Sequence, residues 1–183
     1  MFATFQARAE AVSAEVHRFA TRQETLEFLL EFLRAEGVRD TPGADAVWAD
    51  CPFLSGLDRA QMAARTPGLH FEVTRESAAA AKVGISQMDY AIADTGTLVE
   101  NATAVERRLV STLPEIHVAL LPTSAIYPDL ATAMVLLKPD HEAYLSLITG
   151  PSRTADIERV LTIGVHGPRR LLAVFVDDLE GQR

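Results

Sequence analysis

The leucines of "TRQETLEFLLEFLRAEG" repeat with a helical period. Leu26, Leu29, Leu30 and Leu33 fall at i, i+3, i+4 and i+7, so they share one apolar face. Thr21 and Glu24 precede them with the spacing of a capping box, in which each side chain serves a backbone N–H of the other. Gly37 ends the run because it tolerates positive φ. A second helical face comes from Leu130, Ala133, Met134 and Leu137, with Pro128 placed to start it. "LDRAQMAAR" and the alanine-rich stretch from Glu76 to Lys82 complete the predicted helices. Between them lie runs of another kind. "IHVALL", "VLTIGV" and "LLAVFV" are apolar throughout, as strands buried on both faces are. "AEVHRFA", "DAVWAD", "LHFEV" and "YLSLIT" are shorter strand candidates. "GISQMDYAIADTGTLVE" reads as two strands meeting at a tight break near Asp94–Thr97. Strands alternating with helices predict an α/β fold, with a mostly parallel sheet and helices on both faces. The short "HGPRR" link predicts antiparallel pairing of the last two strands.

Composition narrows the function classes. A chain of 183 residues, 48% hydrophobic, fits one globular domain over residues 1–183. Its net charge of −8 argues against nucleic acid as a partner, because broad binding to phosphates needs a basic surface. It leaves room for a small anionic ligand in a local pocket. Cys51 is the single cysteine, so a Cys-rich iron–sulfur or zinc site cannot form within this sequence. The remaining histidines, His17, His70, His117 and His141, show no H-x-x-x-H spacing, and no metal site is expected. No apolar run suits a secretory signal or a membrane span, so the expectation is a soluble cytoplasmic protein.

Three stretches carry candidate chemistry. In "ITGPSRTADIE", a strand ends at Thr149, Gly150-Pro151 breaks it, and Ser152 or Thr154 is placed to cap a short helix. A helix start with a nearby glycine can hold an anion, and Arg153 would add a charged fork. Asp156 and Glu158 in the first turn support the other reading, a purely structural cap. In "DYAIADTGTLVE", Asp89 and Asp94 bracket an apolar run before Thr95-Gly96-Thr97. They suit acid–base work or a hydroxyl-bearing ligand, and the same residues suit an ordinary hairpin turn. In "GVHGPRR", His166 directly follows a predicted strand and titrates near neutrality in its free form, or it simply sits in a Gly-Pro turn. Ser111, in "RRLVSTLPE", reads locally as part of a polar turn before Pro114. The chain contains no phosphate loop, dinucleotide fingerprint or nucleophile elbow, and no cofactor is evident.

Taken together and in order, "GISQMDYAIADTGTLVE", "STLPEIHVALLP" and "ITGPSRTADIERVLTIGVHGPRRL" resemble the LUD-domain family in its C-type lactate-utilisation members. The resemblance covers the motif-bearing part, residues 84–168. It implies a fold like the NagB, ribose-phosphate isomerase and CoA-transferase group. It also implies an accessory role in bacterial oxidation of L-lactate to pyruvate, beside iron–sulfur partner proteins of the A and B type. Asp94 stands where members often carry Glu, and "STLP" stands where "SLLP" is commoner. The motif positions Thr95, Gly96, Thr97, Thr149, Gly150, Ser152, Arg153 and Thr154 are carried over as a candidate ligand pocket, with Asp89, Asp94 and His166 as candidate catalytic groups. The alternative is a free-standing small-molecule enzyme of the sugar-phosphate isomerase or CoA-transferase type.

Overall fold

Strands that are apolar on both faces need cover on both faces. The computed structural model of the chain, which describes residues 1–137, 144–155, 161–164 and 166–180, supplies that cover. Helix α1 (Phe2–Ala11), strand β1 (Glu15–Phe19) and helix α2 (Arg22–Ala35) come first. Then follow β2 (Ala46–Trp48), α3 (Arg59–Arg65), β3 (Leu69–His70), α4 (Arg75–Ala80) and β4 (Val83–Gln87). β5 (Tyr90–Ile92) and β6 (Thr97–Asn101) make a hairpin, and α5 (Val105–Thr112) leads into β7 (Ile116–Pro122). The rest is β8 (Ile126–Tyr127), α6 (Leu130–Leu137), β9 (Leu145–Ile148), β10 (Arg153–Ala155), β11 (Leu161–Ile163) and β12 (Arg170–Val176). None of the described helices is long and apolar enough to cross a membrane.

The main sheet has the order β1-β12-β7-β4-β2-β3 and is parallel throughout. A second sheet, β8-β5-β6-β9, is antiparallel except for the β5–β8 pair. Among the described residues, β10 and β11 pair with each other alone, as an antiparallel ribbon. The expected pairing of the last two strands is therefore corrected. β12 lies inside the parallel sheet between β1 and β7, where its backbone is paired on both edges and its apolar side chains are covered on both faces.

On one face of the main sheet, Ile116, Val118, Leu120, Leu172 and Val174 meet the four leucines of α2. Each leucine so buried contributes about 1.5–3 kcal/mol. The capping box of α2 is present: Glu24 N donates to Thr21 Oγ1 at 3.1 Å, and Thr21 N donates to Glu24 Oε2 at 3.3 Å. On the other face, Ala119, Leu121, Ala173 and Phe175 meet Phe5 and Ala9 of α1 and Leu98 of β6. α5 lies across β4 at Gly84, where a Cβ would come within 2.4 Å of the Val110 carbonyl. Neither α1 nor α5 is evident from periodicity. α1 buries only Phe5 and Ala9, one turn apart, and lacks a side-chain cap, while α5 contains the residues read as a polar turn around Ser111.

Two turn glycines seat α1. Gly96, with φ +66°, lies against the backbone of Ala9, and Gly150, with φ +77°, lies against the carbonyl of Val12. Side chains avoid that conformation, and here a Cβ would also strike backbone, at 2.5 Å in both cases. Gly43 shares the conformation, φ +82°, but has nothing within 4 Å of a built Cβ. Gly43→Ala is therefore expected to cost about 1 kcal/mol, the conformational cost alone. Gly96→Ala should cost at least about 1–3 kcal/mol more, because α1 must shift. Urea unfolding of the two variants checks this, and equal losses would mean that α1 is not held at Gly96.

Candidate functional site

The β6–β9 ladder explains why two distant motifs meet. Leu98 pairs with Ile148, so Thr97 and Thr149 emerge side by side. Thr97 donates to Thr95 Oγ1 at 2.8 Å and accepts from Thr149 Oγ1 at 2.8 Å, a row of three hydroxyls. Thr149 stands at the rim of a cavity of about 240 Å³, where Ser111, Thr112, His117, Ser152 and His166 also line the wall. The register pairs Gly84, His117 and Leu171 across β4, β7 and β12. The cavity thus opens at the amino ends of the parallel strands. Among its described lining residues there is no carboxylate and no lysine or arginine.

Several expected site residues are engaged otherwise. The helix predicted to start at Ser152–Thr154 is not formed there, since Arg153–Ala155 is strand β10. The Ser152 backbone is paired on both sides: its N–H donates to the Pro168 carbonyl at 2.9 Å, and its carbonyl accepts from Gly164 N at 2.9 Å. Arg153 Nη2 donates to the Val12 carbonyl at 2.6 Å and to Ser13 Oγ at 2.9 Å, so its fork holds the end of α1. Thr154 lies on β10, and Asp156 and Glu158 lie outside the described residues. The structure does not gather Asp89, Asp94 and His166 into one pocket. Asp94 is exposed at the hairpin turn and Asp89 is buried in an ion pair, while exposed His166 lines the cavity.

Behind the cavity lies a buried polar cluster. Asp89 accepts from Asn101 N at 2.6 Å and from Arg107 Nη2 at 2.8 Å. Arg107 also donates to the Gln87 carbonyl, and its Nε stands 3.5 Å from Glu100 Oε1. Glu100 has no exposed surface. Burial pushes its carboxyl up to about 7, against the pull of Arg107 and of the Ser86 and Ser111 hydroxyls, while Asp89 adds to the rise. Neither hydroxyl completes a well-aligned hydrogen bond to it. His117, on β7, is also fully buried, and burial lowers its pKa to about 3. Its Nε2 lies 3.0 Å from Ser86 Oγ, and its Nδ1 has no partner. Sequence reasoning passed over Glu100, Arg107 and Ser86. The available signal was alternation: Leu98 faces the core, so Glu100, two residues on, faces it too. No group of three metal-ligating side chains stands together among the described residues.

The sequence profile of the LUD domain matches residues 2–176. A protein of Exiguobacterium sp. named Lactate utilization protein C is 40% identical over 114 residues, which is 59% of this chain and 50% of that protein. One of the same name from Macrococcus caseolyticus is 41% identical over 104 residues, 54% of this chain and 45% of that protein. The match thus spans about half the length of these relatives. Among solved structures, a DUF162 family protein from Deinococcus radiodurans superposes with a TM-score of 0.61 over 96% of this chain and 95% of that one. At 17% identity this likeness concerns the fold.

The raised Glu100 pKa has a sign that stability measurements read directly. The folded protein holds the proton up to about pH 7, whereas an unfolded glutamate loses it near its ordinary value of 4.5. The folded state therefore binds more protons in that window, and the Glu100 contribution to stability falls as pH rises through it. Glu100→Gln should gain on the parent protein between about pH 5 and 8, reaching roughly 3 kcal/mol. Urea unfolding at stepped pH checks this, since the His117 contribution is common to both proteins and cancels in the difference. A difference that stays constant with pH would contradict the assignment.

Proposed function

The chain belongs to the LUD-domain family, and we propose from this premise that it serves in lactate utilisation, as a subunit acting with iron–sulfur partner proteins in the oxidation of L-lactate to pyruvate. The name Lactate utilization protein C, shared by relatives 33–41% identical to it, is the observation that carries this. Cys51 cannot ligate a cluster by itself, so the electron carriers in this scheme are the A-type and B-type partners.

The ligand we propose is a small carboxylate held in the cavity. The wall supports it, because hydroxyls of Ser111, Thr112, Thr149 and Ser152 and imidazoles of His117 and His166 meet there with no acidic side chain among the described lining residues. His166 stands at the exposed rim, where its ring N–H can donate to the carboxylate. A volume of about 240 Å³ equals the share of roughly eight water molecules, which suits a ligand of a few carbon atoms. The alternative, a free-standing enzyme acting on sugar phosphates or acyl-CoA donors, would draw on Ser152 and His166, the members of its expected residue set that line the cavity.

Deleting the gene is expected to abolish growth on L-lactate as sole carbon source while leaving growth on pyruvate intact. Restoring it with His166→Ala should recover growth poorly. Undiminished growth of the deletion strain, in a host without a second copy, would refute the lactate role. Turnover of a sugar phosphate or an acyl-CoA by the purified protein would favour the alternative.

A further inference from the structure

Glu100, Ser86 and His117 stand in a row from the buried ion pair to the cavity. Ser86 Oγ is 3.0 Å from His117 Nε2 and lies beside the Glu100 carboxyl, to which it makes no aligned hydrogen bond as the side chains stand. A neutral imidazole carries one ring proton, and the partner of one nitrogen decides which nitrogen holds it. With Glu100 protonated and its carboxyl turned to donate the O–H to Ser86, Ser86 donates to Nε2, and the ring proton must sit on Nδ1. With Glu100 ionised, Ser86 donates to the carboxylate instead and accepts from Nε2–H. Nδ1 is then a bare acceptor. It is this nitrogen that finds no partner within the protein, on a residue that lines the cavity.

We propose that Glu100, Ser86 and His117 form a proton relay that sets whether His117 offers the cavity a donor or an acceptor, and that the cavity takes up a small carboxylate together with one proton. This deepens the carboxylate reading above and rests on it. The charges around Glu100 point the same way. Arg107 from α5 is the cation facing it, Asp89 after β4 already engages that guanidinium at 2.8 Å, and Ser86 and Ser111 are neutral. An anion in the cavity would make three negative charges against one positive. A proton on Glu100 removes one of them and turns Nδ1–H toward the incoming carboxylate oxygen as a donor. The proton comes from solvent and no covalent bond of the ligand changes. His117 stays neutral throughout, because burial holds its pKa near 3.

Calorimetry with L-lactate and with pyruvate, in buffers of different ionisation enthalpy, tests the coupling. Uptake of about one proton is expected above about pH 7, with affinity falling about tenfold per pH unit there. Glu100→Gln should bind with no proton uptake and a flat profile. Nitrogen-15 NMR of the ligand-free protein tests the relay separately. The His117 ring proton should move from Nδ1 to Nε2 between about pH 6 and 8, and should not follow pH in Glu100→Gln or Ser86→Ala. Carboxylate binding without proton uptake, or a tautomer that ignores pH, overturns the relay and leaves the carboxylate site standing. If neither probe binds at about pH 6, the carboxylate site falls and the coupled uptake with it, even where the tautomer shift is seen.

Discussion

One guanidinium serves two buried carboxylates, and the interior is organised around that inequality. Arg107 commits Nη2 to Asp89 and to the Gln87 carbonyl, which leaves only Nε toward Glu100. A charge withdrawn from water costs several kcal/mol unless matched in distance and hydrogen bonding. Asp89 is matched by a cation and a backbone N–H. Glu100 is not, and its proton affinity rises instead. The same guanidinium ties α5 to the segment after β4 and to the inner face of β6, so the electrostatics and the packing of the two sheets cannot be separated.

What could be read from the sequence is what depends on local pattern. The capping box and leucine stripe of α2 specify that helix without help from the rest of the chain, and both are present. The uniformly apolar runs of β7 and β12 announce strands buried on both sides. The errors arise where the decisive neighbour is distant. β11 follows a strand-like pattern but pairs with β10, and nothing in "HGPRR" tells where β12 goes. α1 buries so few side chains that its position depends on glycines that lie some ninety and one hundred and forty residues further on. Alternation from Leu98 turns Glu100 toward the core, but its ion-pair partner Arg107 comes from α5, a helix that no local pattern announces.

The candidate site shows the same division. Thr149, Gly150, Ser152 and His166 do come to one cavity, joined by the β6–β9 register and the loop before β12. Arg153 has the right charge for a ligand and a different use, since two acceptors at the end of α1 take its donors. Asp94 has the right chemistry and the wrong place, exposed at a turn. His117, unremarked in "IHVALL", is the imidazole that reaches the cavity from the sheet itself.

The seating of α1 by Gly96, Gly150 and Arg153 bears on how such proteins diversify. The most recognisable parts of the motifs are held in place by the docking of a helix, a demand that any ligand leaves unchanged. A side chain at Gly96 or Gly150 would meet the α1 backbone or the Val12 carbonyl at its end whatever the cavity holds, whereas the hydroxyls and imidazoles of the wall carry no such demand from that helix. The two glycines therefore record how the scaffold is assembled, and only the cavity wall can record what it was assembled for.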